Sequence, residues 1–160
     1  MESMERMMRI NGRINAALID GLNPEHWELT DGLGGQSIGH QLAHIAHFRY
    51  GWLRAWAPGH LGAAEPAFRQ LDDGSLHLIP EDAAALKQVF ERGDEAAWNA
   101  VQRLRAAGET VKGYADPAMM LARTLAHDAN HRGQIMTIMR IHGLERTHIG
   151  KAMYGLWGEE

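Results

Sequence analysis

Apolar residues recur three and four positions apart in four separate runs of this chain, and each run is closed by proline or glycine. An α-helix advances about 100° per residue, so this spacing gathers each run on one face, and that face must be buried against another helix. Met7, Ile10, Ile14, Ala17, Leu18 and Leu22 form the first run and predict a helix over residues 3–22, stopped by Asn23-Pro24. Leu42, Ile45, Ala46, Leu53 and Trp56 form the second, with Ser37 as N-cap and Pro58 as stop. The third starts near Pro80-Glu81-Asp82, carries Leu86, Val89, Phe90, Ala97, Trp98, Val101 and Leu104, and stops at Gly108. In the fourth, Asp116 caps and Pro117 opens a helix whose apolar positions Met120, Leu121, Leu125, Ile135, Ile138 and Met139 run to Gly143.

Four such helices and no strands predict an all-α four-helix bundle, with residues 1–160 as one domain. Residues 23–35 read as a loop. The segment from Pro58 to Pro80 is long for a connection, which predicts a crossover, an embedded short helix or a lid over a site, with Phe68–Leu71 as one helical turn. A long second connection followed by a short third sets helices 2 and 3 parallel and helices 3 and 4 antiparallel, and lets helices 2 and 4 be neighbours across the core. Gly12, Gly51 and Gly133 fall inside helices, where each costs about 1 kcal/mol relative to Ala. Close backbone approach or room for a ligand is the expected compensation, above all at Gly133.

Five of the ten histidines lie on two of these helices, His40, His44 and His47 on helix 2 and His127 and His131 on helix 4. Each group forms a stripe, and two facing stripes make a metal site, because imidazole is the commonest nitrogen ligand of Zn, Ni, Cu and Fe. His142 shares the helix 4 face but stands roughly 16 Å along the axis from His131, too far for one ion. His40 and His47 are about 10 Å apart by the same rise, so helix 2 offers either one ligand or an adjacent pair, and His44 is common to both pairs. Leu125, Ile135 and Ile138 on helix 4, with Leu42 and Ile45 on helix 2, turn the stripes inward, where unpaired polar rings are costly and a shared metal removes the cost. Three histidines and an open position make a catalytic site; a fourth ligand, His40 or His47, would close it and make it structural. Gln134 lies on the ligand face and is placed to orient a bound water or substrate, whereas Asp128 and Asn130 project away from it. Trp52, Trp56 and Trp98 read as core, and His26, His60, His77 and His148 as solvated loop or tail residues.

Composition narrows the chemistry. With no cysteine the chain has neither disulfides nor thiolate ligands, so a metal must be held by His, Asp or Glu, and any thiol must come from outside. Net charge is −4 and the arginines are scattered, which leaves no electrostatic footprint for nucleic acid. The N-terminal segment mixes charges from Glu2 onward and lacks the apolar stretch of a signal peptide, and the longest uncharged run, Gly32 to Phe48, is too polar to span a bilayer. A cytoplasmic protein without a membrane role is expected.

The segments Gly39-His40-Gln41-Leu42-Ala43-His44-Ile45-Ala46-His47 and His127-Asp128-Ala129-Asn130-His131-Arg132-Gly133-Gln134 resemble the DinB-like metalloprotein superfamily. The resemblance implies a bundle with a long crossover between helices 2 and 3, and a metal held by His44, His127 and His131; His40 and His47 lie outside the shared three-ligand pattern. It also implies a homodimer that acts on a small molecule, with thiol-dependent S-transfer and a low-molecular-weight thiol cosubstrate as the leading activity. Zn and Ni both suit an all-imidazole site. Metal-assisted hydrolysis, or a non-catalytic metal-binding dimer with a stress-response or scaffold role, would use the same ligands.

Overall fold

The computed structural model describes residues 1–144 and 147–157. Five helices follow one another, α1 (Glu2–Asp20), α2 (Ile38–Trp56), α3 (Ala83–Ala107), α4 (Ala118–Ile141) and α5 (Thr147–Gly155). The first four are the bundle helices, within a residue or three of the expected bounds. Their ends follow from capping: the Ser37 side chain accepts from His40 N, Asp82 accepts from Ala85 N at 2.7 Å, and Gly108 closes α3 at φ +68°. Asp116 accepts from Ala118 N at 2.9 Å, at the opening of α4.

Two apolar clusters stack along the bundle. One gathers Leu18 and Ile19 of α1, Leu42 and Ile45 of α2, Leu86 and Phe90 of α3, and Ile135 and Met139 of α4. The other gathers Met8, Trp52 and Leu53, Val101 and Leu104, and Met120 and Leu121. The early part of α2 and of α3 therefore shares a level with the late part of α1 and of α4. Helices α2 and α3 run parallel, and α1 and α4 run against them, which requires the long crossover between α2 and α3. Pairs α2–α3 and α2–α4 are both in contact, so the two histidine-bearing helices are neighbours.

The crossover differs from expectation. Phe68–Leu71 is not a helical turn, and strands are present: β1 (Phe68–Gln70) pairs antiparallel with β2 (Leu76–Leu78) in the register Phe68 to Leu78. Asp72-Asp73-Gly74-Ser75 forms the reversal, with Gly74 at φ +84° and the Asp73 carboxylate accepting from Ser75 N at 2.9 Å. Asp-Gly is a strong short-range hairpin signal, and here it outweighs a weak helical pattern.

The tail also differs, since residues 147–155 form α5, which packs on α1. A side chain at Gly21 would collide with Ile149, so this glycine is what admits the helix. Trp52 is core as expected, but Trp98 is only half-buried and Trp56 is 39% exposed at the end of α2, where its ring meets Lys112 rather than the interior. His77 is exposed, but His26 and His60 are half-buried, and His26 Nδ1 accepts from Asn23 N at 3.1 Å. The side chain of His148 lies outside the described residues. No described helix is long and apolar enough to cross a membrane.

Candidate metal centre

Helices α2 and α4 bring His44, His127 and His131 together, each offering a ring nitrogen within 4.8 Å of the others. His44 Nε2 and His127 Nε2 are 3.2 Å apart. A tetrahedral ion held at about 2.0–2.1 Å from each nitrogen keeps them roughly 3.3–3.4 Å apart, so the His44–His127 pair already has the spacing of two ligands and the third nitrogen lies within reach of the same ion. The rings are half-buried, and Phe48 stacks on His127 at 3.9 Å between centroids.

His40 and His47 do not join this group among the described residues. His47 Nδ1 accepts from Ala67 N at 3.1 Å, and the rings of both residues lie against Phe68 of β1. The hairpin that sequence patterning missed thus draws the two extra histidines away, leaving a three-nitrogen cluster. His142 is elsewhere, its Nε2 2.8 Å from Thr30 O.

Behind the triad, a pair of amides sets the direction of His131. Its Nδ1 is 2.5 Å from Gln41 Oε1, an oxygen that only accepts, so Nδ1 carries the proton and Nε2 presents its lone pair. Gln41 Nε2 in turn donates to Gln134 Oε1 at 2.8 Å, which leaves the Gln134 amide hydrogens as donors beside the site. Gln134, expected on the ligand face, thus meets His131 only through Gln41. Gln41, in the sequence run His40-Gln41-Leu42, was readable as a hydrogen-bonding partner only once the α2–α4 register was known.

His127 has a different partner. Its Nδ1 is buried with no hydrogen bond and lies 3.7 Å from Asp128 Oδ1, longer than a hydrogen bond. Asp128 does project away from the ligand face, but into the core rather than into solvent, and it is fully buried. Its carboxylate accepts from Arg49 Nη1 and Nη2 at 2.6 Å each, and from Asn11 Nδ2 and Asn15 Nδ2 at 2.6 and 2.9 Å. The two asparagine oxygens accept from Arg132 Nη1 at 2.7 and 2.6 Å, while Arg49 Nε donates to Asp94 at 2.7 Å. All four bundle helices meet in this polar layer, which separates the two apolar clusters. Glycines make the room: a Cβ at Gly93 would press on Arg49 Cβ at 3.2 Å, and one at Gly12 would come within 3.3 Å of Asp94 Oδ2. Close approach therefore accounts for Gly12. The signal for the layer was in the sequence, as Asn11, Asn15, Arg49 and Asp128 interrupt core-facing positions, but pairing them needs the helix register.

Burial and mutual charge depress the histidines. His44 is pushed down to about 4, first by burial and then by the neighbouring charges of His131, His127 and His47, and His131 is lowered by burial and by His127. Both are neutral at neutral pH and able to bind a metal. Burial pushes the Asp128 carboxyl up, but the Arg49 guanidinium and the hydrogen bonds around it hold it well below the usual carboxylate range. Asp128 is an anion pinned by four donors, not a free base.

Gln41 and Gln134 also line a cleft of about 510 Å³ with Asp31, Gln36, Asn130 and Gly133. A Cβ at Gly133 would meet nothing within 4 Å, so this glycine borders open space. A second, mostly apolar groove of about 490 Å³ runs between α1 and α3, beyond the Arg49 layer, and none of the histidines lines it. None of the triad histidines lines the polar cleft either, but Gln41, which touches His131, does, and this link makes the cleft the one relevant to the site's chemistry.

No curated protein and no solved structure matches this chain. The model described as DinB family matches residues 3–158, nearly the whole length, and with the helical bundle and its three-histidine cluster this places the chain in the DinB family.

Proposed function

We propose that the protein is a divalent-metal-dependent S-transferase, which joins a low-molecular-weight thiol to an electrophilic small molecule. The observation that carries this reading is the triad itself: three half-buried imidazoles with ring nitrogens facing one another, linked through Gln41 to an open polar cleft. His44, His127 and His131 would hold the ion, and Zn and Ni both suit the ligand set. A metal bound there would supply Lewis acidity, lowering the pKa of a thiol it binds so that the nucleophile is ionised at neutral pH.

The chain's own residues then orient the partners. Gln41 keeps His131 in one tautomer, and Gln134, its oxygen already engaged, offers its amide hydrogens to an acceptor on the thiol or the substrate. In the transfer the thiol sulfur bonds to the electrophilic carbon, the leaving group departs with its bonding pair, and the thiol proton passes to solvent. Hydrolysis would use the same histidines, but no carboxylate joins them among the described residues, and Asp128 is fully engaged by Arg49. We place the enzyme in the cytoplasm as a homodimer, in keeping with the resemblance to its family.

Elemental analysis of protein purified without affinity tag or chelator tests the site. About one transition-metal ion per chain, lost in His44→Ala, His127→Ala and His131→Ala, is expected. A thiol-coupling assay with 1-chloro-2,4-dinitrobenzene then tests the reaction. Wild-type protein that takes up neither Zn nor Ni would sink the reading, and turnover of model esters with no thiol present would turn it to hydrolysis. A closed, non-catalytic site would instead lose much of its stability in the His variants and show no transfer with any thiol.

A further inference from the structure

On the side of the triad away from the polar cleft, aromatic rings and cations alternate. Phe48 stacks on His127, and Arg123, one helical turn before His127 on α4, lies over both Phe48 and Trp56 at 6.0 Å from each centroid. Lys112 sits over the Trp56 ring at 4.2 Å, and Arg54 over Tyr50 at 6.0 Å. Arg54 is also close enough to His47 to lower its pKa, after burial has done so.

Three features set this face apart from an ordinary charged surface. Among the described residues, carboxylates pair with Arg49, Lys87, Arg92 and Arg105, but none pairs with Arg54, Lys112 or Arg123. In a chain of net charge −4, three cations without carboxylate partners beside a metal-competent cluster make a local positive field. Lys112 is the one described non-glycine residue at positive φ, +50°, in a tight turn bridged by Val111 and Tyr114. A lysine kept in a conformation that favours Gly or Asn, and laid on an exposed tryptophan, is strain with a use. Trp56 is 39% exposed at the end of α2, so its indole is open to a ligand.

We propose that this face of α2 and α4 is a subsite for a planar organic anion, a carboxylate on an aromatic or conjugated body. The body lies against Trp56, and Arg123, held between Phe48 and Trp56 and supported by Lys112, holds the carboxylate. A guanidinium whose face rests on aromatic rings still has its edge N–H donors for a carboxylate, and the exposed indole receives the flat body. The inference deepens the S-transferase reading by naming the class of its electrophile, an aryl or conjugated carboxylic acid, while the thiol takes the polar cleft on the other side. Its dependence on that reading concerns the reaction only, since the anion site stands on its own residues.

Titration of the full-length protein with benzoate and with benzamide, two planar probes that differ in charge, tests it by calorimetry or by the indole N–H signal of Trp56. Benzoate is expected to bind saturably and to weaken as salt is raised, while benzamide binds at least tenfold more weakly. Arg123→Gln is expected to lose tenfold or more in benzoate affinity with unchanged melting temperature and metal content, and Lys112→Gln to lose a smaller factor. The same titration in His44→Ala, which removes the metal, separates the two proposals: benzoate binding that still depends on Arg123 supports the subsite whatever becomes of the enzyme reading. Equal affinities for the two probes, no saturable benzoate binding, or affinity indifferent to Arg123→Gln and Lys112→Gln but lost in His44→Ala would each overturn it, the last by assigning the carboxylate to the metal. Should Arg123→Gln fail to fold, Lys112→Gln together with Trp56→Leu, read by calorimetry, carries the same expectation.

Discussion

Two neighbouring residues of α4 stand in opposite surroundings. Asp128, with Arg132 one turn on, reaches into the bundle, where every formal charge meets an opposite charge or a fixed amide dipole from α1, α2 or α3. His127, with His131 one turn on, faces the seam between α2 and α4, where one ring nitrogen is buried without a partner and two others face each other. A polar cluster satisfied from within has no remaining capacity for a ligand, and its role is to specify how the helices fit. A cluster left incomplete invites something from outside. In this bundle the difference separates scaffold from site within a single helical turn.

That contrast is open to attack from either side. The largest effect is expected in the layer: Asp128→Asn leaves the buried Arg49 charge with only Asp94, and should cost about 3–5 kcal/mol. At roughly 2–4 °C per kcal/mol for a chain of this size, the melting temperature falls by about 6–20 °C. A loss under 1 kcal/mol would mean that the layer is dispensable. Next, Asn15→Ala removes a donor to Asp128 and an acceptor from Arg132, and should cost about 1–3 kcal/mol in the same melt.

Effects at the triad should appear in metal binding instead. Gln41→Leu frees His131 to change tautomer and should weaken Zn or Ni affinity by about 10–100-fold in a competition titration, with little change in metal-free stability. Equal affinity would show that the Gln41 contact does not orient the ring. His44→Ala should abolish metal uptake yet change metal-free stability by no more than about 1 kcal/mol, because a half-buried imidazole whose hydrogen-bond contact is the neighbouring His127 ring adds little.

Acid distinguishes the regions most finely. Folding lowers the His44 pKa from 6.5 to about 4, so the unfolded chain holds more protons between those values. Metal-free protein should be at full strength above pH 6.5 and lose stability as pH falls toward 4, and His44→Ala should flatten that slope. Asp128 is depressed from 3.8, so its contribution is full above that value and is lost only at lower pH, in a second phase that His44→Ala leaves untouched. A single phase insensitive to the substitution would refute the separation.

Much of this was legible in advance, for particular reasons. The four bundle helices followed from apolar periodicity and from caps such as Ser37, Asp82 and Gly108, which act through their own neighbours in sequence. His127, His131 and Gln134 shared a face because helical geometry leaves no alternative. The hairpin was hidden because three-residue strands carry too few positions to show alternation, and α5 because nine residues hold scarcely more than two turns. Trp56 was misplaced because helical spacing says which residues share a face, but not how far along the helix the core extends.

What the sequence determined alone is therefore local: which segments become helices, where they stop, and which side chains share a stripe. Tertiary structure decided every relation between stripes. It selected His44 from three histidines by drawing His40 and His47 to Phe68, and it set Gln41 behind His131. It also brought Asn11, Arg49, Asp94 and Asp128 to one level from four separate helices. The physical reason is that periodicity specifies angle about a helix axis, whereas pairing across a bundle depends on the axial register and direction of its neighbours. That register is fixed only when the apolar layers close above and below the buried charges.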